Sequence, residues 1–180
     1  MSLITYNGLL DLVEQGVITN VNPAHINAAS IDVTLGESFW VEMPPEETDL
    51  IDLAAKQGPL LKRMDVDAFC LTPHQFCLAA TREIFNLPDY IAAEFRLKSS
   101  GARAGLNASL AMWCDPGWTN SVLTLELSNI LSYHTLILRP GMKIGQMIFM
   151  YGEAVPEKAS YSVRGRYNGD LHASPSKGTQ

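Results

Sequence analysis

From residue 65 onward the chain is cut at short intervals by turn-forming residues, and this punctuation limits its fold more than any other feature. Short β-rich runs, Phe76–Ala80 and Ile91–Leu97, are separated by Pro73 and the Leu87-Pro88-Asp89 turn. Val122–Ile130, Thr135–Leu138 and Met142–Tyr151 follow, the last two divided by Arg139-Pro140-Gly141. Proline cannot donate to a strand ladder and glycine admits backbone angles that other residues avoid, so such breaks mark strand ends. Many short strands with few helices predict a mainly β fold, an antiparallel sandwich or barrel rather than a parallel sheet.

Ahead of this region, Thr5 stands as an N-cap before Leu9, Leu10, Leu12, Val13 and Val17. Their spacing predicts one amphipathic helix, ended by Gly16. Asn20–Pro23 reads as a turn and Ala29–Leu35 as a strand. Residues 37–52 hold Glu37, Glu42, Glu46, Glu47, Asp49 and Asp52, no base, and the Pro44-Pro45 pair, which predicts a solvated loop. At the other end, 161–180 carries Arg164, Arg166 and Lys177 against Asp170, and is broken by Gly165, Gly169, Pro175 and Gly178. A mobile tail without regular structure is expected there.

Composition removes several classes of function. With 180 residues the chain is expected to form one domain, 1–180, and 47% apolar against 18% charged residues suits a folded protein. A net charge of −6 argues against nucleic acid or an anionic membrane as partner, since both demand clustered positive charge. Cys70, Cys77 and Cys114 cannot all pair, and no leader-like segment opens the sequence. Reduced thiols and a cytoplasmic location are the expectation. No phosphate-binding G-x-x-x-x-G-K-[ST] loop, dinucleotide G-x-G-x-x-G turn or G-x-S-x-G nucleophile elbow occurs. His25, His74, His134 and His172 stand far apart, and the cysteines form no C-x-x-C, so a tightly held transition metal is not expected.

Three stretches can carry chemistry. In "VLTLELSN" (122–129), period-two alternation sets Leu123, Leu125 and Leu127 on one face and Val122, Thr124, Glu126 and Ser128 on the other. Glu126 is then either a solvated side chain on a half-exposed strand or a general base in a polar cleft. "RLKSSGARAGL" (96–106) gathers Arg96, Lys98 and Arg103 around two serines and two glycines. It is either an ordinary basic loop or a phosphate cradle of backbone N–H groups and cations. In "CDPGW" (114–118), Asp115 either only starts a tight turn or also meets a sugar hydroxyl.

Taken in order, "INAASIDVTLG" (26–36), "TREIFNLP" (81–88), "KSSGARAGL" (98–106), "DPGWTNSVLTLELSN" (115–129), "LRPGMKIGQMIF" (138–149) and "GRYNGDLHASPSK" (165–177) resemble the dCTP deaminase family of the dUTPase-like superfamily. The resemblance implies a distorted antiparallel β-barrel with an N-terminal helix and a flexible C-terminal lid. It further implies a homotrimer with sites shared between subunits, and dCTP as substrate with Mg²⁺ on its phosphates. By similarity Glu126 is the catalytic carboxylate, while Ser99 and Arg103 help hold the attacking water and the cytosine. The backbone carbonyl of Ala111 faces that water. Lys98 and Ser100 match phosphate-binding positions, Asp115 matches the acid that contacts the deoxyribose, and Trp113, Tyr167, Ser176 and Lys177 match substrate-facing positions.

The chain departs from the family's pattern in three places. One residue fewer separates Ser99 from Asp115 and one more separates Asp115 from Glu126. Met112-Trp113 stands where members that only deaminate carry His-Arg, and where members that also cleave dUTP carry glycine and an apolar residue. Asp170 and Leu171 replace a Gln-Arg pair in the tail. The expected products are dUTP and ammonia. The alternatives are onward cleavage to dUMP and pyrophosphate, or a non-catalytic nucleotide-binding regulator on the same fold.

Overall fold

The apolar runs become the central strands of two antiparallel sheets. In this computed structural model, residues 2–45, 50–108 and 111–178 are described. The first sheet contains β1 (Ser2–Leu3), β3 (Ile31–Thr34), β8 (Ile91–Leu97), β10 (Trp113–Cys114) and β13 (Lys143–Tyr151). Its order is β1-β13-β8-β10, with β3 also paired to β13. The second contains β2 (Ile18–Thr19), β4 (Ser38–Glu42), β5 (Leu61–Asp65), β7 (Phe76–Phe85), β9 (Leu106–Asn107) and β11 (Ser121–Asn129). It runs β5-β4-β7-β11-β9, with β2 also paired to β7. A separate ladder joins β6 (Phe69–Leu71) to β12 (Leu136–Leu138). The mainly β, distorted-barrel expectation holds, although the sheets stay open among the described residues.

Alternation decides what each strand buries. Ile91, Ala93 and Phe95 of β8 face inward against Met147 and Phe149 of β13, all at most 2% exposed. Each large side chain removed from water in this way contributes roughly 1.5–3 kcal/mol before entropy is counted. The helix α1 (Tyr6–Glu14) forms where expected and buries Leu9 and Leu12, whereas Leu10 turns outward. Thr5 occupies its N-cap without a side-chain capping bond, and Gly16 leaves it at φ +74°.

The solvated-loop expectation for 37–52 needs correction. Its first part is β4, in which Phe39 is fully buried and stacks on Phe69 with ring centroids 4.6 Å apart. Alternating Phe39 and Val41 outweigh the acidic flanks, since half of a strand's side chains can point to solvent. Residues 46–49 of that stretch lie outside the described residues. Among the described residues no helix is long and apolar enough to cross a membrane.

The sheets are tied together beside β7. Leu35 bridges Thr81, and the Gly36 N–H donates to the Ala80 carbonyl at 2.7 Å. The buried Glu83 carboxylate accepts from the Thr34 N–H at 2.9 Å and the Thr34 hydroxyl at 2.8 Å. Burial pushes the Glu83 carboxyl above its usual range, and the Thr34 donors oppose that shift.

Candidate active site

Strand β11 supplies the floor of the site. Leu125 and Leu127 go to the core, at 2% and 0% exposure, which leaves Glu126 between them on the opposite face. The register of β11 on β7 slips between Val122 and Thr124, because β7 bulges over Thr81–Glu83. There the Thr81 hydroxyl accepts from the Leu123 N–H and donates to the Glu83 carbonyl, both at 3.0 Å. The bulge overturns part of the expected alternation: Leu123 is half-buried and lines the cavity, together with Val122 and Thr124. An extra residue in one strand re-aims side chains on its partner.

The cavity above this floor measures about 410 Å³. Phe76 and Leu78 of β7 extend the floor, and Ala111, Trp113, Cys114 and Asp115 form one wall. Glu126 is half-buried, and that burial pushes its carboxyl above the usual range, against hydrogen bonds from the backbone N–H groups of Glu126 and Ala111. A desolvated carboxylate of raised basicity suits a general base better than a solvated one. Ala111 thus meets Glu126 through its N–H. The neighbouring Cys114 is no rival nucleophile. Burial, followed by the charges of Asp115 and Glu126, pushes its thiol up to about 12, and only a thiolate attacks.

Asp115 closes the turn and borders the cavity. Its carbonyl accepts from the Trp118 N–H at 3.2 Å, closing the turn, while its side chain lines the cavity. Gly117 is obligatory in that turn: it sits at φ +88°, and a Cβ there would fall 2.1 Å from the Ser160 hydroxyl oxygen. One carboxylate oxygen of Asp115 accepts from the Trp113 indole N–H at 2.8 Å.

The tail lies over the cavity as a lid, and it corrects only the expectation that the segment lacks regular structure. Tyr161–Arg164 forms one helical turn, α3, capped by the Ser160 hydroxyl. The Tyr167 carbonyl accepts from the Trp118 indole and the Ser121 hydroxyl, each at 3.0 Å. The Asp170 carbonyl accepts from the Val122 N–H at 2.8 Å, and the Ala173 carbonyl from the Trp40 indole at 2.8 Å. Ala173 is 3% exposed and packs with Leu78, Ala80 and Val122. Tyr161, Tyr167, Asp170, Ser174 and Ser176 thereby roof the cavity. Lys177 lies above the Tyr167 ring, 4.9 Å from its centroid, and its ammonium is neutralised by Asp170 at 2.7 Å. Residues 179 and 180 lie outside the described residues.

The expected residues thus divide into two groups. Glu126, Ala111, Asp115, Trp113, Tyr167 and Ser176 line one cavity, with Lys177 bonded to its roof. Ser99, Ser100 and Arg103 sit exposed on the short helix α2 (Ser99–Arg103) and do not line it. Lys98 is committed elsewhere, at 2.8 Å from one oxygen of Asp32, whose other oxygen takes Lys143 at 3.0 Å. Burial pushes the Asp32 carboxyl up, but the hydrogen bonds from Lys98, Lys143 and Asn27 together hold it below its ordinary value. The sequence reading missed Phe76, Leu78, Thr124, Trp118, Tyr161, Asp170 and Ser174 as cavity lining. Register alone would have found Leu78, which pairs with Glu126. Among the described residues no group of three His, Cys, Asp or Glu side chains could hold a metal ion.

Residues 4–152 match the family model described as dCTP deaminase-like. The chain is 39% identical over 166 residues to a "dCTP deaminase, dUMP-forming" of Acidothermus cellulolyticus, covering 88% of this chain and 85% of that one. A protein of the same name from Persephonella marina is 34% identical over 164 residues, covering 89% and 87%. The fold is similar to the crystal structure of a 2'-deoxycytidine 5'-triphosphate deaminase from Agrobacterium tumefaciens, with a TM-score of 0.64 at 19% identity. That match spans 88% of this chain and half of the other, and it bears on the fold alone.

Proposed function

The chain belongs to the dCTP deaminase-like family, and from that premise we propose that it hydrolyses dCTP twice, releasing ammonia and then pyrophosphate to leave dUMP. The names of its relatives support the second step, so dUMP replaces dUTP as the proposed end product. The observation that carries the first step is the desolvated Glu126 carboxylate in a cavity with aromatic walls. In that step water adds at cytosine C4, its proton passes through Glu126 to the ring nitrogen N3, and the amino group leaves as ammonia. One carboxylate can take and return each proton, an effect worth about 10²–10⁴ in rate. The remainder comes from a preoriented water and from dipoles and cations facing the intermediate. Mg²⁺ belongs to the substrate in this reading. It arrives on phosphate oxygens with retained waters, which needs no dense set of protein ligands.

A second copy of the chain completes the site. Asp115, Glu126 and Asp170 all face the cavity, and Lys177 is already paired. With Asp170 neutralised by Lys177 and no lysine or arginine among the described lining residues, the cavity itself offers no free cation to the phosphates beyond the Mg²⁺ they carry. Arg103, with Ser99 and Ser100, offers polar and positive groups on an exposed helix outside its own cavity. We infer that this helix reaches the cavity of a neighbouring subunit in a homotrimer, where Arg103 faces the charge that develops on the ring. Incubation with dCTP and Mg²⁺, followed by chromatographic separation, tests the proposal. Ammonia, dUMP and pyrophosphate in equal amounts are expected. Accumulation of dUTP would limit the activity to deamination, and unchanged dCTP at high enzyme concentration would overturn the reading.

A further inference from the structure

Asp115 is an exposed carboxylate at the cavity wall, yet it is not free to turn. Its backbone is fixed on one side by the Trp118 N–H and on the other by the β10 pairing of Cys114 with Ala93. Its Oδ1 accepts the Trp113 indole N–H at 2.8 Å. Trp113 is itself anchored, since its backbone pairs with Glu94 of β8, and its ring lines the same cavity at 50% exposure. Half-exposed tryptophan costs burial energy that an interior position would return, so its placement invites an explanation in terms of what it touches.

An indole is a neutral donor with a single N–H. It can hold one carboxylate oxygen in place without neutralising the group, as Lys177 neutralises Asp170 in the roof. The lone pairs of the other oxygen remain for a donor from the ligand. A 2'-deoxynucleoside 5'-triphosphate offers only one sugar hydroxyl, the 3'-hydroxyl, because O5' carries the phosphates and C2' carries none. We propose that Trp113 is a positioning residue that fixes the Asp115 carboxylate so that it accepts the 3'-hydroxyl of the nucleotide. This rests on the deaminase reading of the cavity and adds to it a determinant of sugar recognition. The role is confined to binding, since the interaction is the same in ground state and transition state.

Trp113→Phe keeps the ring and removes the donor. With dCTP, KM is expected to rise about 5-fold with kcat within a factor of two, the pattern of lost uniform binding. With 2',3'-dideoxycytidine triphosphate, which lacks the hydroxyl, the variant and the wild type should show the same KM. An equal loss on both substrates would mean that the ring acts by packing alone and would overturn the proposal. The bond has its own test in the nucleotide-free protein. The Trp113 indole N–H resonance, assigned by its absence from Trp113→Phe, should move in Asp115→Asn, and a static resonance would overturn the pairing. A wild-type chain inert toward dCTP would sink the deaminase reading and the ligand half of this inference, with the resonance still reporting on the pairing.

Discussion

At the scale of single residues, Glu126 sets catalysis against stability. Burial raises its carboxyl above the value it has in the unfolded chain, so the folded state favours the protonated form. That preference stabilises the fold at low pH and is lost as pH rises through the raised native value, which leaves an unfavourable buried charge at neutral pH. Glu126→Gln should therefore abolish turnover while nucleotide binding remains measurable by calorimetry. The same variant should melt higher than wild type at pH 7, by about 2–4 °C, the amount roughly 1 kcal/mol brings in a chain of this size. The difference should close as pH falls, because the native carboxyl then becomes neutral as well. The wild-type kcat profile should lose activity on its acidic side at a pH above the ordinary glutamate range, where the base is protonated. A melting point unchanged at every pH would mean that the carboxylate is not desolvated.

Among the elements, the tail is the least regular and the most consequential. Its seat depends on Ala173, whose methyl group fits among Leu78, Ala80 and Val122. Ala173→Glu would bury a charge with no partner on that face, and the tail should leave the sheet instead. Trypsin should then cut faster after Arg164 and Arg166, and kcat/KM should fall about 10-fold as water re-enters the cavity. Unaltered proteolysis would show that the tail is held by other means. The resemblance implied a lid, but its anchors were not legible in the residues. Its glycines, proline and charges are those of a free tail, and its anchors are backbone carbonyls whose partners, Val122 and Trp40, lie far away in the chain. Strands were legible where apolar alternation is long, as in Ile91–Leu97. The bulge at Thr81–Glu83 was not, since it is stabilised by a hydroxyl bonding across strands and leaves the local pattern unchanged. At Glu126 and Asp115 the residues alone left two readings each, a mid-strand carboxylate being unusual and a turn aspartate ordinary, and only the family resemblance singled both out.

At the scale of the whole molecule, the proposed sharing of sites between chains rests on charge. The cavity is bordered by Asp115 and Glu126, has Asp170 already neutralised by Lys177, and has no lysine or arginine among its described lining residues, while the exposed α2 carries cationic and hydroxyl groups. Arg103→Ala and Glu126→Gln chains should each be inactive as pure assemblies. Unfolded together in equal amounts and refolded, they should regain about one active site in four, the fraction in which an intact Glu126 meets an intact Arg103 across a ring of three. Sites built within single chains would regain none.

One strand measures out the whole arrangement. Val122 anchors the roof through its N–H, and Glu126 stands four residues further along the same strand. At roughly 3.3 Å per residue the two are about 13 Å apart. Exposed side chains of the tail can change without disturbing its carbonyl anchors, but inserting or deleting a residue between Val122 and Glu126 would flip the acid into the core and shorten or lengthen the yardstick at one stroke.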